Sequence, residues 1–197
     1  MTPLLKVDGL SRYFGGLAAV KDLSFELHAG EIVGLIGPNG AGKSTAFNVI
    51  SGSLAPSAGC IQFAGQPIEG MRPSQVVRHG LARTFQSATV YPAATVQENL
   101  YRGALARFDV PVWAQIAQTA RYRGALRKVR EEVDEVLEIT GLAPYRDDVA
   151  GALAYGHQKR IGVAIGLATR PRLLLLDEPA AGLNPEECAE FGGLLKT

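Results

Sequence analysis

The run Gly37-Pro38-Asn39-Gly40-Ala41-Gly42-Lys43-Ser44 constrains this chain more than any other feature in it. It satisfies Gly-x-x-x-x-Gly-Lys-Ser/Thr, the spacing of a loop that wraps phosphate groups. A triphosphate carries several negative charges, so backbone N–H groups must converge on it with no side chains in the way. Glycines allow the positive φ angles and the close approach. A helix opening near Lys43 adds its first N–H groups and the positive end of its dipole. Lys43 is then placed to reach the β- and γ-phosphates, and the Ser44 hydroxyl to ligate Mg²⁺. A glycine-rich turn matching by chance is the competing reading, and context disfavours it. Residues 31–36, Glu-Ile-Val-Gly-Leu-Ile, are nearly continuous in apolar character, as expected for a strand buried on both faces.

A second apolar run, residues 173–176, ends in Asp177-Glu178-Pro179. Open α/β sheets hold ligands at the C-terminal edge of such strands. Asp177 is expected to hold the Mg²⁺ that bridges the phosphates, and Glu178 to polarise the attacking water. Alone, two acids before a proline would read as a solvated turn. The phosphate loop upstream reverses that reading.

Between and before these motifs, residues 4–7, 19–25 and 60–64 read as strands, and residues 74–78 as a short helix. Val129, Val133, Val136, Leu137 and Thr140 fall on one side of a helix that Gly141, Leu142 and Pro144 stop. Arg and Glu are frequent there, which reads as a solvated face laced with i, i+4 pairs. A helix opens at Tyr155-Gly156 and runs to about Ala168. Charge is balanced, 20 basic against 19 acidic residues, so no global footprint for nucleic acid exists. Cys60 and Cys188 are too few for a disulfide framework or a cysteine zinc site. No apolar run reaches the roughly 18 residues that span a bilayer, and the N-terminus lacks the pattern of a secretory signal. A cytoplasmic α/β protein is expected.

With Leu153-Ala154-Tyr155-Gly156-His157-Gln158 between them, the two motifs resemble the ATP-binding subunit of ABC transporters. The resemblance covers essentially the whole chain. It implies a P-loop NTPase core of the ABC ATPase type, with an antiparallel β subdomain and a helical lobe inserted at residues 88–150 of a domain spanning 1–197. ATP and Mg²⁺ are the implied cofactors, with Gly37, Pro38, Asn39, Gly40, Ala41, Gly42, Lys43, Ser44 and Thr45 around the phosphates. Arg83-Thr84-Phe85-Gln86 looks like the Q-loop, in which Gln86 would sense Mg²⁺ and the attacking water. Phe14, next to Gly15, would stack on adenine, with Tyr13 close behind. Ala154, Tyr155, Gly156 and Gln158 would cap the γ-phosphate held by a second subunit in a homodimer or heterodimer. Ala181-Gly182-Leu183-Asn184 resembles the D-loop. The wording Arg-Thr-Phe-Gln, Leu-Ala-Tyr-Gly and Asp-Glu-Pro-Ala-Ala-Gly-Leu-Asn-Pro is similar to branched-chain amino-acid importers, whose urea and amide relatives share much of it. Membrane permease subunits are the implied partners, nucleic acid is not, and the implied location is peripheral, on the cytoplasmic side of the inner membrane.

Two departures stand out. Ala154 replaces the usual serine. The family's switch histidine lies beyond the acids, whereas His28, His79 and His157 all precede Asp177, so the chain is read as truncated at its C-terminus. The alternative function is a nucleotide-binding module impaired in hydrolysis. A third reading, a soluble ABC ATPase of translation or DNA maintenance, is disfavoured because the chain has one nucleotide unit and no long coiled-coil insert or basic tract.

Overall fold

A computed structural model describes residues 2–84, 90–107 and 120–195. The chain divides into two units, Met1–His79 and Gly80–Thr197.

In the first unit, β1 (Leu5–Phe14), β2 (Leu17–Leu27), β3 (Ala58–Phe63) and β4 (Gln66–Pro67) form an antiparallel sheet in the order β2-β1-β3-β4. Gly15-Gly16 joins β1 to β2 as a two-residue hairpin, with Phe14 opposite Leu17. Gly15 has φ +58°, which that tight reversal demands. Alternate residues Leu5 and Val7 of β1 point inward with Ile61 and Phe63 of β3. Helix α1 (Lys43–Ile50) packs on β1 and β2 and buries Ala46, Val49 and Ile50. Helix α2 (Pro73–Arg78) opens on proline and buries Val76. The antiparallel subdomain is thus as expected, and the short helix begins one residue earlier than read.

Residues 31–36 correct the sequence reading. They form no strand, and Ile32, Val33 and Ile36 are 75%, 52% and 94% exposed. A strand exists only as part of a ladder, and among the described residues no strand pairs with this run.

In the second unit, β5 (Leu81–Thr84) and β6 (Leu173–Leu176) pair in parallel, Leu81 beside Leu173 and Thr84 beside Leu176. Helix α5 (Tyr155–Ala168) packs on both strands, and α3 (Val96–Leu105) and α4 (Ala120–Ile139) pack on α5. Their shared core contains Val96, Leu100, Val129, Val133, Val136, Leu137, Leu142, Ile161 and Ala164. The apolar side of α4 is therefore the one its periodicity marked. Helix α6 (Pro185–Leu194) closes the described chain.

Candidate nucleotide site

Two kinds of helix start are present. At α3, Thr95 accepts from the Glu98 N–H at 3.2 Å while the Glu98 carboxylate accepts from the Thr95 N–H at 3.0 Å. At α6, Asn184 and Glu187 make the same reciprocal pair, both at 2.9 Å. Such boxes occupy backbone donors that a helix start otherwise leaves open. Helices α1 and α5 differ. Gly42 and Ala154 supply no side-chain cap, and neither first turn holds an acid. These are the two helices that the phosphate loop and the Leu-Ala-Tyr-Gly segment open. No side-chain cap occupies their first N–H groups, and their positive dipole ends favour an anion.

The loop before α1 is exposed from Pro38 to Ala41. Gly42 has φ +86°, and a Cβ there would lie 1.9 Å from the Ala19 carbonyl oxygen of β2. Only glycine fits. Lys43 Nζ donates to the carbonyls of Gly37 at 2.7 Å and Pro38 at 2.9 Å, so its ammonium stands inside the loop. Ser44 is exposed, and Thr45 half-buried. At the β1–β2 hairpin, Tyr13 and Phe14 are 41% and 46% exposed, which leaves ring faces for stacking. The Arg12 guanidinium covers one side of Phe14 at 4.8 Å from the ring centroid.

In the second unit, Asp177 follows β6 directly and is buried, with Arg83 Nη2 on its Oδ2 at 2.9 Å. Both side chains are under a tenth exposed, 7% and 6%, so each neutralises the other's charge away from water. Parallel pairing of β5 and β6 brings these residues together. Arg83→Met is expected to leave Asp177 buried and uncompensated, destabilising the chain by about 3–5 kcal/mol. The urea midpoint measures it, and an unchanged midpoint contradicts the pairing. Glu178 is exposed and has φ +48°, a strained backbone for a residue with a side chain.

Tyr155, 51% exposed, lies against Gly182, whose added Cβ would meet the ring at 3.0 Å. A Cβ on Gly156 would lie 2.4 Å from Glu187 Oε1. The Leu-Ala-Tyr-Gly and D-loop-like segments are thus packed together within one chain. Gln158 Nε2 donates back to the Leu153 carbonyl at 2.9 Å. Gln86 and Phe85 lie outside the described residues, as do parts of the 88–150 lobe. Sequence reasoning missed two partners, Arg83 for Asp177 and Glu187 for Gly156. A strand pattern in Leu-Ala-Arg-Thr and a capping box in Asn-Pro-Glu-Glu were the available signals.

The donors suit Mg²⁺, which takes oxygen ligands, one or two carboxylates and substrate phosphates. In the first unit the exposed Ser44 offers a hydroxyl oxygen, and in the second Asp177 offers a carboxylate. Among the described residues, no group of three or more His, Cys, Asp or Glu could hold a metal ion.

The glycine loop before uncapped α1 in the first unit, and the acid-tipped β6 with uncapped α5 in the second, are each features of a P-loop ATPase of the ABC type. The ABC transporter family model matches residues 20–181, and the chain belongs to that family. It is 41% identical over 193 residues to the high-affinity branched-chain amino acid transport ATP-binding protein LivG of Escherichia coli K12, which spans 98% of this chain and 76% of LivG. It is 38% identical, with the same coverage, to the corresponding protein BraF of Pseudomonas aeruginosa. Among solved structures, the ADP conformation of MJ1267, an ATP-binding cassette of an ABC transporter, matches with TM-score 0.84 at 28% identity, covering 100% of this chain and 76% of that one. The structure of cbiO1 from Clostridium perfringens, part of the cbiONQ ABC transporter complex, matches with TM-score 0.82 at 31% identity over 98% of this chain and 72% of its own. The chain is an ABC ATPase subunit whose hydrolysis is coupled to transport. No helix among the described residues is long and apolar enough to cross a membrane.

Proposed function

We propose that this chain binds Mg²⁺-ATP on residues 37–45 and hydrolyses it with Glu178, as one of two ATP-binding subunits driving a membrane permease for branched-chain amino acids. The contrast in helix starts carries the reading, because α1 and α5 alone, among the helices of eight or more residues whose starts are described, lack a side-chain cap. On this reading, backbone N–H groups of residues 39–45 and Lys43 bind the β- and γ-phosphates. Phe14 orients adenine from one ring face. The Ser44 hydroxyl, Asp177 carboxylate and Gln86 amide would hold Mg²⁺, which would offset the charge of the phosphates. Arg83 orients Asp177. Glu178 accepts a proton from the attacking water.

Ala154, Tyr155, Gly156 and Gln158 face the γ-phosphate on a second subunit, and the absence of a side-chain cap at Ala154 supports this. Binding ATP closes the pair, hydrolysis releases it, and the permease follows by population shift. The names of LivG and BraF support the solute class, and the proposed place is peripheral, on the cytoplasmic side of the inner membrane. Phosphate release should require Mg²⁺ and rise more steeply than linearly with protein concentration, and first-order dependence on protein contradicts a paired site. Co-expression with its permease should raise uptake of labelled leucine and not of urea. Urea uptake without leucine uptake contradicts the solute assignment.

A further inference from the structure

Helix α4 is divided by charge. Residues 120–130 carry Arg121, Arg123, Arg127, Lys128 and Arg130 and no acid, whereas residues 131–139 carry Glu131, Glu132, Asp134, Glu135 and Glu138 and no base. The backbone dipole places partial positive charge at a helix's N-terminus and negative charge at its C-terminus. Each block therefore stands at the pole of its own sign.

Pairing along the helix would be the simplest relief, Arg127 with Glu131 or Lys128 with Glu132. The structure corrects that expectation. Three of the block's five acids are paired from other elements, by Arg107 on Glu132, Arg146 on Asp134 at 3.0 Å, and Arg170 on Glu135. The hydrogen bond from Arg170 holds the Glu135 carboxyl below the usual carboxylate range. Among the described residues, no ion pair joins Arg123, Arg127, Lys128 or Arg130. All four are exposed, and no position from 122 to 128 is buried. Arg123, Arg127 and Arg130, at i, i+4 and i+7, make one stripe. The chain's net charge is only +1, so this field is local.

We propose that the stripe docks on anionic lipid headgroups, holding the second unit of the chain against the membrane surface. Clusters of four to eight Lys/Arg on an amphipathic helix are attracted to an anionic leaflet. A fluid headgroup layer asks only for exposed cations along one face, and the stripe offers that. No large apolar side chain of residues 122–130 is exposed, so the contact is adsorption without insertion. The choice of lipid among polyanions rests on the transport function proposed above.

Vesicles of phosphatidylcholine with and without phosphatidylglycerol test it by co-sedimentation. The chain should bind only those with phosphatidylglycerol, and salt near 1 M, where the Debye length falls to about 3 Å, should release it. Combining Arg123→Gln, Arg127→Gln and Arg130→Gln should weaken partitioning on the order of 100-fold. A control with the same net charge, Lys21→Gln, Arg72→Gln and Arg78→Gln, should bind like wild type, and both variants should keep wild-type ATP turnover and circular dichroism. Equal binding to phosphatidylcholine alone, no binding to either vesicle, or equal loss in the control overturns the proposal. So does salt-sensitive capture of polyglutamate or DNA without vesicle binding, which would give the stripe to an acidic protein or to nucleic acid. Absent ATP turnover in wild type would count against the proposed nucleotide chemistry while leaving the vesicle result to stand.

Discussion

Glu178→Gln should lower steady-state ATP hydrolysis by at least about 100-fold, the contribution of a positioned general base, while ATP binding stays at the wild-type level. Glutamine keeps the length and shape of the side chain but cannot take the proton of the attacking water. The ATP-bound pair of subunits should then persist, visible as a longer-lived dimer in size-exclusion chromatography. Phosphate release measures the first effect and nucleotide titration the second. Wild-type turnover in this variant would remove Glu178 from the reaction. The position suits a reacting group, because Glu178 is exposed directly after the buried Asp177 and holds a strained backbone with φ +48°.

Lys43→Ala should weaken ATP binding by roughly 10- to 100-fold, since charge-assisted hydrogen bonds contribute about 1.5–3 kcal/mol each. The ammonium already spans the Gly37 and Pro38 carbonyls, at 2.7 and 2.9 Å, which fixes it within the loop. Alanine removes both the charge and that brace. Fluorescence titration with a labelled ATP reads the loss. Lys43 is only half-buried and forms no part of the core, so the thermal midpoint should barely move. A large fall in the midpoint would mean that the lysine acts on folding instead of on phosphate.

What the sequence made legible was local. The glycine loop, the helix starts at Lys43 and Tyr155, and the end of α4 at Gly141 each depend on a few neighbouring residues and on their backbone preferences. The inward side of α4 was equally plain, because its apolar spacing alone determines which residues pack. Pairings across distance were not legible. Arg83 meets Asp177 from 94 positions away, and only the parallel register of β5 with β6 brings them together. The frequent Arg and Glu of α4 suggested pairs along the helix, yet Arg107, Arg146 and Arg170 reach three of the acids from elsewhere. Residues 31–36 show the same limit from the other side. Their apolar run suggested a strand, but composition cannot provide the neighbouring strand that a ladder needs.

Gly42 sits against the Ala19 carbonyl so closely that the curvature of the proposed phosphate loop is not the loop's own property. The antiparallel sheet acts as a mould. β2 carries no expected phosphate ligand, yet its backbone sets how deep the turn can be, and thereby how many amides can point at one anion. Shifting β2 by a fraction of an ångström, through substitutions that leave every residue from 37 to 44 untouched, would reshape the loop as surely as editing the motif itself.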